Sequence, residues 1–335
     1  MIRDLTEMMQ EQHKPILLRG IWRTGNTSIM RALAKEMGYS GENADLSLNL
    51  SMRKADFNLP RMSLLDFLEK KVYLTGGVSK ILGCIRGKKD FSELKQIEEE
   101  LKESGISPLK YLDQELSKTE DRKKALLVID EATVLLKYPE ALQEMNSWGN
   151  FNNIMVIANM HRIGNSEELI REELSNFEQV SVRNLTLDET KKITRIMMPD
   201  IYKSLSGDDF EELYSTTGGH PYELVMLCTY LKEYYSDNQQ FGSLLKELTN
   251  PKSMTWQYLV NNSYDRVKEF TFSDSEKVLI KDILEGKEMS EEDCDELGEG
   301  LAEIGILKKE KVGEKHIYKI NGSAFEGYLK NEMNS

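Results

Sequence analysis

The stretch GIWRTGNTS, residues 20–28, decides how this chain is read. It follows the apolar run Pro15-Ile16-Leu17-Leu18-Arg19 and precedes IMRALAKEMG, whose apolar spacing predicts a helix to about Met37. A strand, a loop bounded by Gly20 and Gly25, then Thr27-Ser28 opening a helix is the layout of a phosphate cradle, G-x-x-x-x-G-K-[ST]. The glycines permit backbone angles that turn consecutive N–H groups toward phosphate oxygens, and the helix N-terminus adds partial positive charge. Thr27 is placed to give its hydroxyl to Mg²⁺. Every fixed position is filled except one, because Asn26 stands where the lysine is expected.

The loop has a partner about a hundred residues on. In Leu126-Leu127-Val128-Ile129-Asp130-Glu131, four apolar residues make a strand buried on both faces and deliver Asp130 to its carboxyl end. Open α/β sheets bind ligands at that end. Asp130 would hold the Mg²⁺ shell, and Glu131 would polarise an attacking water as general base. Taken singly, the loop reads equally as an ordinary strand-to-helix turn and Asp-Glu as a helix cap. In this order, each after an apolar strand, they predict a P-loop fold.

Around these motifs, residues 1–12 read as a leading helix and 44–50 alternate with the period of a half-buried strand. Residues 60–82 read as a helix with Ser63 as cap, and 86–124 as charge-rich helices with solvated faces. Residues 153–159 and 179–182 are further short strands, so the first 190 residues predict a three-layer α/β core. Residues 187–199, 208–216, 222–235 and 241–248 then read as helices without intervening strands. In 265–335, a helix over 273–285 and two short helical pieces around 291–304 precede a hairpin of 306–308 with 316–320, which describes a winged helix.

The chain resembles the archaeal-type ATPase branch of the STAND/AAA+ P-loop proteins over most of its length. The family's G-x-R-R-x-G-K-[ST] loop is followed with Trp22-Arg23 in place of the arginine pair, and its hhhhDE by LLVIDE. MVIAN ends in Asn159 where the family has a polar sensor, LTLDET offers Leu185, Leu187 and Glu189, and Gly218-Gly219-His220-Pro221 matches a G-G-x-P motif. The resemblance implies ATP or ADP with Mg²⁺, held by Gly20, Arg23, Thr24, Gly25, Asn26, Thr27 and Ser28. Thr27 and Asp130 would serve the metal, with Glu131 and Asn159 catalytic. Asn159 would sense the γ-phosphate or position the lytic water, and Gly218–Pro221 would start a lid helix near the adenine or phosphates. Domains at 1–190 (P-loop core), 191–264 (lid) and 265–335 (winged helix) follow.

Asn26 departs from the family. The lysine donates charged hydrogen bonds that strengthen as phosphoryl transfer proceeds, and losing one such donor costs on the order of 10²–10³ in rate. Asparagine is neutral and shorter, so the expectation is a nucleotide-dependent switch or scaffold for protein partners that hydrolyses weakly or not at all. Asn26 fits either a naturally degenerate site or an alteration that traps nucleotide. The rival readings are an ATPase completed by Arg23 or a neighbouring subunit, a DNA-binding regulator, and a scaffold that binds no nucleotide.

Composition bounds the partners. The 335 residues are 39% hydrophobic and 30% charged, which predicts a globular protein. No run approaches the roughly 20 apolar residues of a membrane helix and the N-terminus is too polar for a signal peptide, so no membrane partner is expected and the cytoplasm is. Three scattered cysteines and four scattered histidines suggest neither a disulfide framework nor a zinc site. The net charge is −13, and residues 270–335 hold sixteen acidic and nine basic side chains. A helix that carries Glu291, Glu292, Asp293, Asp295, Glu296, Glu299 and Glu303 without a lysine or arginine is poorly suited to phosphates. A protein partner or self-association is therefore expected over DNA.

Overall fold

The computed structural model describes residues 1–40, 44, 46–52, 77–86, 91–120, 123–162, 164–235, 240–264 and 272–333. In chain order its regular elements begin with α1 (Ile2–Glu11), β1 (Ile16–Gly20), α2 (Asn26–Glu36) and β2 (Ser47–Ser51). Then come α3 (Gly77–Arg86), α4 (Phe91–Ser104), α5 (Pro108–Ser117) and β3 (Ala125–Asp130). After β3 follow α6 (Pro139–Ser147), β4 (Ile154–His161), α7 (Glu167–Glu173) and β5 (Glu178–Val182). The remainder is α8 (Leu187–Met197), α9 (Pro199–Tyr202), α10 (Gly207–Thr217), α11 (Pro221–Tyr234), α12 (Phe241–Leu248), α13 (Met254–Tyr264), α14 (Asp274–Leu284), β6 (Met289–Ser290), α15 (Glu291–Glu303), β7 (Leu307–Val312), β8 (Lys315–Ile320) and α16 (Ser323–Met333). The helix expected over 60–82 falls mostly outside the described residues.

Sequence pattern and sheet position agree strand by strand. The five-stranded sheet has the order β2-β3-β4-β1-β5, and β3 pairs in parallel with both β2 and β4. β1, β3 and β4 are apolar almost without break and buried nearly throughout, as interior strands covered on both faces must be. The edge strand β2 instead alternates between buried and more exposed residues, and the edge strand β5 is half-buried or exposed until Val182. This is a mixed α/β, helix-rich P-loop architecture.

Two compact units emerge: Met1–Arg19, Asn26–His161 and Ser166–Val180 form the first, and Gly20–Gly25, Arg162–Asn165 and Ser181–Ser335 the second. In the first, Leu17, Leu127, Ile129, Val156 and Trp148 share one apolar core with Leu112 and Leu116 of α5. Arg19, 6% exposed, is held there by Glu167 at 2.7 Å and Gln179 at 3.3 Å.

In the second unit, the helices α8–α13 and the segment α14–α16 with β6–β8 share a single core. It runs from Leu213, Leu224 and Leu231 through Tyr264 to Leu301, Tyr318 and Phe325. β6, β8 and β7 form a three-stranded sheet, antiparallel at both pairings. The two helical pieces expected around 291–304 are one continuous helix, α15, despite Gly298 and Gly300. Gly298 is there for space, since a Cβ on it would stand 2.7 Å from the Tyr318 ring.

Two carboxamides pin this unit together. Asn184 Nδ2 donates to the carbonyls of Gly218 (3.2 Å) and Gly305 (3.1 Å), and Asn321 Nδ2 donates to the same two carbonyls (2.9 and 3.0 Å). Each carbonyl oxygen thus uses both lone pairs. α14 is tied in by Glu276, 3% exposed at its side chain, which pairs with Arg162 at 2.5 Å and closes a capping box with Ser273.

Candidate phosphate and metal site

Within the sheet unit, the carboxyl end of β3 meets the start of α2. Thr27 Oγ1 donates to both carboxylate oxygens of Asp130, each at 3.1 Å and across 103 positions of sequence. Asn159, at the end of β4 and 1% exposed, donates from Nδ2 to Asp130 Oδ1 at 2.5 Å and accepts the Glu131 backbone N–H at Oδ1, 2.9 Å. One carboxamide therefore fixes both the metal candidate and the base candidate. Glu131 has φ +60°, a left-handed conformation that costs a non-glycine residue about 1–3 kcal/mol and concentrates at functional sites.

A hydroxyl and a carboxylate in hydrogen-bond contact are hard oxygen donors of the kind that bind Mg²⁺. The donor set fits the ion. Asn26 begins α2 and is 4% exposed, and Ser28 lies in the same first turn, exposed. The first turn of an eleven-residue helix presents backbone N–H groups that lack intrahelical partners.

The other loop residues, Gly20 to Gly25, belong to the second unit. The Gly20 carbonyl accepts the Arg162 N–H at 2.8 Å. Thr24, 4% exposed, closes the turn by donating its hydroxyl to the Ile21 carbonyl at 2.9 Å. Gly25 has φ +97°, where a side chain would be strained. Arg23 also has positive φ, +64°, and its guanidinium lies over the Tyr222 ring at 4.0 Å. The charge expected to substitute for the missing lysine is thus seated on an aromatic face.

The Gly-Gly-His-Pro turn, matched in the sequence as a motif, makes contacts that the sequence does not specify. His220 is fully buried, donates from Nε2 to the Trp22 carbonyl at 3.1 Å, and accepts the Glu223 N–H at Nδ1. A carbonyl only accepts, so the tautomer is fixed with the proton on Nε2. Burial lowers the His220 pKa to about 4, with the nearby Arg23 charge acting the same way and the bond to Trp22 opposing it. Glu223, also fully buried, accepts from the Tyr264 hydroxyl at 2.8 Å; burial raises its pKa to about 8, against the pull of hydrogen bonds from Tyr264 and Ser263. Glu189 of LTLDET proves to be a cap: it forms a capping box with Thr186, and Arg183 holds its pKa down at about 2.

No protein-family model matches the chain, and no curated protein matches its sequence. Among solved structures, the Walker-type ATPase of Pyrococcus abyssi is similar over 98% of this chain and 94% of its own, at 16% identity and a TM-score of 0.58. The ORC1 protein of Aeropyrum pernix, solved in complex with DNA, aligns over 99% of this chain and 91% of its own, at 12% identity and a TM-score of 0.42. Domain III of the replication initiation protein DnaA of Thermotoga maritima aligns over 74% of this chain and 90% of its own, at 12% identity and a TM-score of 0.40. The likeness to the Pyrococcus ATPase is one of fold.

Proposed function

We propose that this protein binds ATP or ADP with Mg²⁺ and hydrolyses ATP weakly or not at all, using nucleotide state as a switch or scaffold for protein partners. The observation that carries the reading is the hydrogen bond of Thr27 to Asp130. Two motif halves, each of which has a bland explanation alone, meet at the carboxyl end of a buried parallel strand. Thr27 and Asp130 would hold the ion, and the first turn of α2 would take phosphate oxygens. Bound there, Mg²⁺ would neutralise charge between the β- and γ-phosphates.

In the hydrolytic step, Glu131 takes a proton from water as its oxygen bonds to the γ-phosphorus and the bond to the ADP oxygen breaks. Asn159 positions Asp130 and Glu131 for this. Asn26 supplies no charge, and a neutral donor is worth roughly half a charged one. Binding then rests on backbone N–H groups and the metal, and turnover suffers most.

The wing favours protein over DNA as partner. Lys309 is paired with Glu291 (2.7 Å) and with Glu299, and Lys308 and Lys319 both pair with Glu310 (2.7 and 2.5 Å). Exposed pairs of this kind contribute little stability, about 0–1 kcal/mol, yet they engage three of the lysines a phosphate would need. In the described residues no helix is long and apolar enough to cross a membrane.

The deciding experiment is calorimetric affinity for Mg-ATP and ADP together with turnover, on the unmodified chain and on Asn26→Lys. Measurable affinity with little turnover is expected. Asn26→Lys should raise turnover by about 10²-fold, and adding Glu131→Gln should abolish that gain. Unchanged affinity and rate in Asn26→Lys would show that position 26 does not face the γ-phosphate.

A further inference from the structure

Residues 220 and 222, on either side of Pro221, reach two consecutive residues of the glycine loop. His220 donates to the Trp22 carbonyl, and Tyr222 lies under the Arg23 guanidinium. Trp22 and Arg23 lie nearly 200 positions away in sequence, in a loop that no regular secondary structure holds. Arg23 sits in a left-handed conformation that surrounding contacts must maintain. We propose that His220 and Tyr222 form a two-point clamp on Trp22-Arg23 and act as positioning residues for the nucleotide site, setting the loop conformation that receives phosphate.

Four features support the clamp. His220 spends both ring nitrogens, one on the loop carbonyl and one on the first turn of α11, so one rigid ring fixes the loop relative to that helix. Pro221 stands at the first helical position, where its fixed φ suits the helix and keeps residues 220 and 222 in register. The turn is packed closely on both sides. A Cβ on Gly219 would stand 2.0 Å from the Leu185 carbonyl oxygen, and one on Gly218 would stand 2.5 Å from that of Asn321. Behind His220 the ring of Tyr264 lies 5.1 Å away, and Phe325 packs against that at a tilt with centroids 4.5 Å apart, so an aromatic cluster backs the imidazole.

This proposal rests on the nucleotide reading, and the test separates the two. On the full chain, His220→Asn keeps a helix-capping acceptor but is too short to reach the Trp22 carbonyl. Tyr222→Phe keeps the aromatic face, and Tyr222→Leu removes it. Amide hydrogen exchange over residues 20–26 and calorimetric ADP affinity are measured beside thermal unfolding. His220→Asn and Tyr222→Leu should speed exchange in the loop about tenfold or more and weaken ADP binding about tenfold, while Tyr222→Phe behaves as the unmodified chain. Unchanged loop exchange in a folded His220→Asn would overturn the clamp. Faster exchange with unchanged ADP affinity would overturn the positioning role. If the unmodified chain binds neither ATP nor ADP, the nucleotide reading fails and takes the positioning role with it, and the exchange arm still decides whether the clamp exists.

Discussion

At position 27 a single hydroxyl serves two ends. Thr27 Oγ1 donates to Asp130, and the same oxygen would turn its lone pairs to a magnesium ion. Thr27→Ala and Asp130→Ala should therefore each weaken ATP binding about tenfold with Mg²⁺ present and leave it unchanged in a chelator. Equal affinity of the unmodified chain with and without Mg²⁺ would show that the metal half of the site is dead. Asn159 poses a different question, because its amide satisfies one carboxylate oxygen and one backbone N–H inside the sheet unit. Asn159→Ala should cost about 1–3 kcal/mol in stability, read by urea unfolding, as well as turnover. A loss of turnover alone would place Asn159 on the substrate rather than on Asp130 and Glu131.

Among the elements, the start of α11 concentrates the unusual chemistry. The carboxyl of Glu223 keeps its proton in the fold to about pH 8, against 4.5 when unfolded, so its contribution is whole below pH 4.5 and is lost as pH rises toward 8. His220 stays neutral down to about pH 4, against 6.5 when unfolded, so its contribution is present above 6.5 and is lost as pH falls. Between 4.5 and 6.5 the two slopes oppose each other. Of these two, only Glu223 acts above 6.5, and its contribution should fall by about 1.4 kcal/mol per pH unit up to about 8. Urea midpoints from pH 6.5 to 8.5 check this, and Glu223→Gln should flatten the decline. A decline that persists undiminished in Glu223→Gln would place its source in another group and overturn this reading of Glu223. Gly219→Ala, at φ +70° against the Leu185 carbonyl, should destabilise by more than about 2 kcal/mol.

What was legible in the sequence at this scale follows from the range of the signal. β1, β3 and β4 show as unbroken apolar runs because burial on both faces demands it, and β2 shows as alternation because it is an edge. Thr27, Asp130 and Glu131 could be read because each motif is local and follows its own strand. The bonds of residues 220 and 222 to the loop leave no periodic trace, since nothing in a turn spelled Gly-Gly-His-Pro says which carbonyl a histidine will meet. The sequence reads α15 as two short pieces, whereas the helix runs unbroken and Gly298 answers to the ring of Tyr318. α13 and α16 carry no clear signal in the sequence, since tyrosine and asparagine, or glycine at 327, blur their helical period.

On the scale of the whole molecule, the C-terminal segment is not separable from the helices before it. Tyr264 packs on Phe325 and Tyr328, and the core runs from α10 to α16 without a break. A partner search therefore calls for the full chain. With a net charge of −13 and the lysines at 308, 309 and 319 paired, that chain should give no duplex-DNA gel shift at physiological salt. A salt-sensitive shift that disappears when Lys308, Lys309 and Lys311 become glutamate would overturn this and favour a DNA-binding regulator.

The carboxamide of Asn321 has a bearing on how the protein ages. Asn321 precedes Gly322, and in that pairing an asparagine side chain cyclises readily onto the next backbone nitrogen and deamidates. In the fold the side chain is held on two carbonyls and its own N–H on a third, that of Ile306, which keeps it from the cyclising geometry. Unfolding frees it. The aspartate that forms would set a carboxylate against two carbonyl oxygens with no proton to share, so a chain altered at this bond could not close the same lock. Time spent unfolded would thus be recorded chemically, and recovery after heating should decline with dwell time as the deamidated 321–322 bond accumulates in peptide mass spectra.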